Sequence, residues 1–371
     1  MAAVSGPIAV YGASGYTGKL VLRELVRRGI DHVATGRSVA KLREAVDAAG
    51  SNAPVRAAAL DDRGALRHAL GDCAAVINCA GPFTFFGEPV VRAAVETGTH
   101  YVDTTGEQPY MQRIFERLGE PAQAAEVAVV PGMGFDYLPG DLIAHLAAAE
   151  HEPLRELVMA YSVDGFGMTR GTMHSSIEAM RGGDLVYRDG AWVPAGNGPL
   201  RATFRFPDPI GRRAVAKYPA GEIVTVPRHV DTRNVTALID ARVIAPHPAL
   251  APLIPITAPG LGLLLRTPVR ALLDLAVDRL PEGPAEDDRR AASFTVVAVA
   301  RGEDGTEGVG VIRGTDVYGL TAVTTVHGAE LMAAEGYDRA GVLAPASAFD
   351  ARHFLDFLGD HGVSYELGGG A

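Results

Sequence analysis

Cysteine is nearly absent from this chain, with two residues, Cys73 and Cys79, in 371. So few thiols exclude a disulfide framework and suit a reducing compartment, so a cytoplasmic location is expected. No Cys/His spacing of the metal-binding kind occurs, and no metal is expected. Lysine and arginine form no basic stripe. Their only doublets are Arg27-Arg28, Arg212-Arg213 and Arg289-Arg290, and the formal net charge is −10. Such a surface does not attract nucleic acid. Residues 1–7 lack the basic segment of a secretory leader, and the first apolar run already fits a core strand.

Long apolar runs are scarce too. The stretch that needs weighing is 248–277, "PALAPLIPITAPGLGLLLRTPVRALLDLAV", which holds five prolines and two arginines. Its longest clean run is below the roughly 20 residues needed to span a bilayer. Buried helices or a subunit contact are expected there, which points to a homodimer; an interfacial membrane patch is the alternative. What remains is ordinary for a soluble globular protein, 47% hydrophobic and 21% charged. The length allows two domains or one large one.

Residues 7 to about 135 alternate short β-type runs with helical ones. "IAVYG" (8–12), "HVATG" (32–36), "VRAAAL" (55–60), "AAVINCAG" (74–81), "HYVDTTG" (100–106) and "VAVVPGMG" (127–134) are predicted strands. Helices are predicted near 16–28, 38–48, 62–70, 87–97 and 108–125. That rhythm predicts an α/β fold with an N-terminal doubly wound parallel sheet of the Rossmann type over residues 1–140. Beyond it the runs lengthen and become β-branched: 156–163, 201–207, 222–230, 233–243, 293–302 and 307–334. These predict a second α+β domain on a mixed sheet over 141–340. The cluster "PEGPAEDDRRAA" (281–292) reads as an exposed loop, and 341–371, with a helical run at 348–362, as a segment packing back on the first domain.

Gly12-Ala13-Ser14-Gly15-Tyr16-Thr17-Gly18 sits where the first strand gives way to a helix. In that context the glycines have separate duties: Gly12 for a tight turn, Gly15 for close approach of a pyrophosphate, and Gly18 for packing helix against sheet. Helix N–H groups then face the phosphates, with Ser14 and Thr17 as added hydroxyl donors. After the second strand, an acid would grip the ribose hydroxyl of NAD. The chain instead has Arg37-Ser38, with Lys41 a turn later, which suits the extra phosphate of NADP. Asp61 is placed to meet the adenine amino group, or else Asp61 or Asp62 caps the next helix.

"INCAGPFTFFGEPVVRAAVETGTHYVDTTGE" (77–107), with "YGASGYTG" (11–18) and "PGMGFDYLPGD" (131–141), resembles the saccharopine dehydrogenase-like NADP-binding oxidoreductases, a family of stand-alone reductases that includes trans-acting enoyl reductases. The likeness spans residues 7–141 and is looser at 166–180 and 341–349. It implies a Rossmann domain, a mixed-sheet domain and NADP(H)-dependent chemistry in an interdomain cleft. It also implies that Asn78, Cys79, Ala80, Gly81 and Pro82 lie along the ribose and nicotinamide. Thr104, Thr105, Gly106 and Glu107 fall on the same edge of the sheet. Cys79 is read as structural, since no base or helix dipole is in view to activate it. Glu88 and Glu107 are read either as cleft carboxylates or as surface and capping groups.

Reduction of a C=C, C=N or C=O bond needs a proton source within hydrogen-bond reach. Tyr137, Tyr161 and His174 are the candidates, with Arg170, Thr172 and Ser175 as substrate contacts beside a helix starting near Gly171. Asp136 and Asp141 are read as capping groups. Arg170, Arg228, His229 and Arg233 are available as clamps for substrate carboxylates. The leading expectation is an NADPH-dependent reductase of a small or lipid/polyketide-like substrate. An imine-forming amino-acid dehydrogenase of the saccharopine type and a non-catalytic NADP-binding protein stay open.

Overall fold

The computed structural model describes residues 5–180, 184–196, 202–244 and 269–369. The chain divides into two compact units, Met1–Leu138 with Tyr318–Phe349, and Pro139–Val317 with Asp350–Ala371.

In the first unit, β1 (Ile8–Tyr11), β2 (His32–Gly36), β3 (Val55–Ala57), β4 (Ala75–Asn78), β5 (His100–Asp103) and β6 (Ala128–Val130) form a parallel sheet. Its order is β3-β2-β1-β4-β5-β6. Between the strands run α1 (Tyr16–Arg28), α2 (Val39–Ala48), α3 (Arg63–Leu70), α4 (Phe83–Thr97) and α5 (Gln108–Ala124). Every residue of β1 and β4 is buried, as expected of strands covered on both faces. Ile8 lies opposite His32 on one side and Ala75 on the other. The strand order therefore reverses between β1 and β4, the place where doubly wound sheets bind ligands beyond the strands' carboxyl ends.

Two features of this unit depart from the sequence expectation. A seventh strand, Gly341–Val342, adds to β6. The stretch 307–334, expected as strand throughout, is a strand over Glu307–Thr315 and a helix over Val317–Ala333. Its threonines misled. Thr324 Oγ1 donates to the Met133 carbonyl at 2.8 Å, and Thr325 Oγ1 to the Thr321 carbonyl at 2.8 Å. A β-branched run can thus be a buried helix when its hydroxyls are satisfied by carbonyls. Residues 318–340, expected within the second domain, consequently group with the first unit.

The second unit opens with α6 (Leu138–Ala148) and β7 (Leu154–Asp164). β7 is flanked by Ser293–Gly302, antiparallel, and by Val235–Asp240, parallel, so the sheet is mixed. Arg212–Lys217 and Ala202–Arg205 extend one side, Glu307–Thr315 and Ser364–Gly369 the other. One face carries a core of Ala160, Phe206, Val215, Leu238, Val297 and Val311. The last strand completes an edge of this sheet, and the helix Ala351–Gly359 before it lies in the same unit. The segment 341–371, expected as one piece packing back on the first domain, is therefore split: residues up to Phe349 group with the first unit and those from Asp350 with the second.

Two local readings also change. "EIVTVPRHV" is a short helix, Glu222–Thr225, and a 3-10 turn, Val226–Arg228, because Pro227 has no N–H for a sheet ladder. Within 281–292, Glu286–Ala291 is helical, with acids in its first turn and arginines in its last, which complements the helix dipole. Of the apolar stretch 248–277, residues 248–268 lie outside the described residues, while Val269–Val277 is a helix. Among the described residues, no helix is long and apolar enough to cross a membrane.

Candidate cofactor and reaction site

The turn after β1 is built around contacts that leave no room for side chains. Gly12 has φ +79, and a Cβ there would lie 3.0 Å from both the Ala80 nitrogen and its Cβ. The loops after β1 and β4 thus touch at the switch point. A Cβ at Gly18 would lie 2.8 Å from Ala13 Cα and would run into the Gly12 carbonyl oxygen. Gly15 is different. Its φ of −78 suits any residue, and a Cβ would meet only the Gly12 oxygen, at 3.4 Å. Gly15 is exposed, so neither the fold nor its packing requires glycine there. The helix behind it, α1, has no side-chain cap and no acid in its first turn. An open helix N-terminus faced by a bare backbone fits a diphosphate.

The residues expected to meet the adenosine end follow β2 and β3. Arg37 and Lys41 are exposed, and Ser38 Oγ accepts from the Lys41 N–H at 3.5 Å, capping α2. Burial pushes the Tyr11 phenol up to about 12, with Arg37 pulling it down and Asp61 pushing it up. The Arg37 and Asp61 charges therefore both bear on this one hydroxyl, which donates to the Ala58 carbonyl at 3.1 Å. Asp62, not Asp61, caps α3 by accepting from Ala65 N at 2.9 Å, leaving the Asp61 carboxylate exposed. A guanidinium–phosphate bond contributes about 1.5–3 kcal/mol. Arg37→Ala is therefore expected to cut the preference for NADPH over NADH by about tenfold to hundredfold, read as the ratio of the two dissociation constants. Equal losses for both would refute the assignment.

The loops after β4 and β5 are held from within. Asn78 is fully buried and its Oδ1 accepts from Ala80 N at 3.0 Å. Cys79 carries a thiol that burial, and then the Asp103 charge, push up to about 12, which disfavours the reactive thiolate. Glu107, read from sequence as either a cleft or a capping group, is a cap. Its two carboxylate oxygens accept from Phe83 N and Thr84 N, each at 2.8 Å, at the start of α4. That cap begins α4 at Phe83 rather than near residue 87. Glu107→Ala is expected to cost about 1–2 kcal/mol of stability in urea unfolding, and an unchanged midpoint would count against it. Glu88 pairs with Arg92 and Arg113 on the helix surface.

The proposed proton donors are placed unequally. The Tyr137 hydroxyl donates to the Gly106 carbonyl at 2.7 Å, and its ring is buried. The ring nitrogens of His174 face two carboxylates, Nδ1 at 3.2 Å from Asp274 and Nε2 at 3.0 Å from Asp278. Tyr161 donates to the Glu222 carboxylate. Asp141, in the first turn of α6, meets His229 Nε2 at 3.0 Å, with His145 Nδ1 3.3 Å from His229 Nδ1. Among the described residues, Asp136 has no capping bond. No described residue hydrogen-bonds or ion-pairs with its carboxylate, and burial pushes its carboxyl up from 3.8 to about 6. It lies beside Gly106, 3.8 Å from where a Cβ of that residue would stand.

The candidate substrate contacts have partners of their own. Arg170 donates to the Asp278 carbonyl and pairs with Glu282; Thr172 meets Thr169. Arg228 stacks over Trp192 at 4.8 Å, and Arg233 pairs with Glu303. Ser175 lies on the same helix as His174, Arg170–Met180.

Residues 8–130 match the saccharopine dehydrogenase NADP binding domain. This third of the chain is thus an NADP-binding domain of the saccharopine dehydrogenase kind. The cofactor of that domain is NADP(H), and the residues present fit it, with bare main chain at Gly15 and the exposed cations Arg37 and Lys41 following β2. A lipid droplet localized protein of Caenorhabditis elegans is 36% identical over 146 residues, 36% of this chain and 34% of that one. The mouse saccharopine dehydrogenase-like oxidoreductase is 31% identical over 152 residues, 36% of this chain and 35% of that one. A Mycobacterium tuberculosis protein named for trans-acting enoyl reduction is 31% identical over 184 residues, 47% and 44% of the two chains. The chain thus spans between a third and a half of the length of these relatives. Apo saccharopine dehydrogenase (L-Glu forming) of Saccharomyces cerevisiae shares the fold over 99% of this chain and 100% of that one, at TM-score 0.63 and 15% identity.

Proposed function

We propose that this saccharopine dehydrogenase-like protein is an NADPH-dependent oxidoreductase acting on a C=C, C=N or C=O bond of a small or lipid/polyketide-like substrate. The observation that carries the reading is Gly15, a glycine that the protein's own backbone and packing do not require, at the mouth of an uncapped helix. A ligand pressed against the main chain accounts for it. NADPH, when bound there, supplies the hydride. The chain's own residues orient the reaction and hold the proton. Asp136, with its carboxyl raised to about 6 and its oxygens without a partner among the described residues, is the group we assign to that proton.

The apolar class of substrate is favoured by Phe85 and Phe86, which stand exposed in the first turn of α4, just beyond the loop after β4. Arginines that would clamp substrate carboxylates are instead engaged, Arg228 with Trp192 and Arg233 with Glu303. The names of the enoyl reductase and lipid droplet relatives agree with that choice. The test is a fluorescence titration with NADPH followed by a screen of enoyl, keto and imine substrates for NADPH oxidation. Binding with turnover of an apolar enoyl or keto substrate is expected. Turnover of amino-acid imines alone would replace the substrate class, and binding without any turnover would overturn the enzymatic reading.

A further inference from the structure

We infer that Asp103 is a positioning residue that holds the loops after β4, β5 and β6 in one fixed register, an inference that builds on the oxidoreductase reading above. Asp103 ends β5 and is fully buried. Its Oδ1 accepts from Thr105 N at 3.0 Å and Gly132 N at 2.9 Å. Its Oδ2 accepts from the hydroxyls of Tyr101 and Tyr110, each at 2.9 Å. Asn78 extends the restraint, donating from Nδ2 to the Tyr101 hydroxyl at 3.0 Å and accepting from Ala80 N at 3.0 Å. One carboxylate therefore fixes main-chain amides in three successive loops, those of Thr105 and Gly132 directly and that of Ala80 through two side chains.

The packing makes room for this arrangement. Tyr110 reaches Asp103 past α4, where a Cβ at Gly87 would lie 2.6 Å from Tyr110 Cζ. Glycine inside a helix costs up to about 1 kcal/mol relative to alanine, so α4 gives up stability to admit that phenol. The carboxylate itself is expensive to bury. Despite four donors, burial pushes its carboxyl up to about 6. Apolar side chains would fill the same space at lower cost. What they cannot do is hold amides at set points, which is how outer residues fix the groups that touch a ligand. The loops so held carry Ala80, which contacts Gly12 of the cofactor turn, and lead into Gly134-Phe135-Asp136.

The test uses Tyr110→Phe, which keeps the ring and removes one donor, together with Asp103→Asn. Amide hydrogen exchange on the cofactor-free protein is expected to speed up by ~10-fold or more at 79–81, 104–106 and 132–134, while β1 stays as slow as in the wild type. In turnover, kcat is expected to fall ~10-fold or more, with a smaller change in the KM for NADPH. Unchanged exchange in those loops, or equal acceleration in β1, would overturn the inference, as would an unchanged kcat. If Asp103→Asn fails to fold, Tyr110→Phe alone decides. Faster loops in a protein whose wild type binds NADPH but turns over none of the substrates would uphold the restraint and sink the enzymatic reading instead.

Discussion

Gly15→Ala is expected to fold and melt like the wild type and to bind NADPH at least ~10-fold more weakly, a loss of about 1.4 kcal/mol or more. Gly18→Ala is expected to do the reverse in order of cause, losing the fold of the first unit and binding only as a consequence. The contrast follows from what each new methyl meets. At Gly15 it has ordinary contact with one oxygen at 3.4 Å, so the protein tolerates it and only a ligand would object. At Gly18 it stands 2.8 Å from Ala13 Cα and 2.9 Å from Ala13 C, and backbone cannot swing aside as a side chain can. Thermal melts and NADPH titrations on the two variants separate these effects. If Gly15→Ala binds NADPH as well as wild type, the cradle is only a turn.

Asp136→Asn is expected to lower kcat by ~10²–10⁴-fold, the usual range for a lost general acid. The pH profile gives the stricter test. A proton donor works in its protonated form, so kcat/KM for reduction is expected to be level below about pH 6 and to fall above it, the point to which burial raises this carboxyl. Asparagine should abolish that limb. The stability effect has the opposite sign. A carboxyl raised from 3.8 to about 6 contributes its full stability below 3.8 and loses it as pH rises through about 6. At pH 7.5 the uncharged amide should therefore melt no earlier than the wild type. A variant that melts early and loses activity in proportion would mean that Asp136 only supports the fold.

The nucleotide-binding unit was legible because its strands, helices and glycines each follow a local rule. β1, β2 and α1 lie within a residue of where hydrophobic period and glycine punctuation put them. Long-range rescue of local preference was not legible. Thr324 and Thr325 look like strand residues until one sees their hydroxyls bonded to carbonyls of Met133 and Thr321. Nor could the sequence say which residue caps what. Glu107 lies 24 residues from the Phe83 amide it accepts from, and Asp141 lies 88 from His229. The Asp103 node was missed for a similar reason: "HYVD" ends a strand plainly, but nothing in it tells that four donors converge there. A signal did exist, an acid closing an otherwise buried strand.

The cap at α4 has a consequence for how the coenzyme enters. Two helices, α1 and α4, start from the loops that meet at the strand-order reversal, and each would attract a negative group at its leading turn. One has been filled by the protein's own Glu107; the other has been left bare. On the function proposed above, the diphosphate of NADP(H) would settle at the bare start of α1 rather than at the filled start of α4, with Arg37 toward its adenosine half.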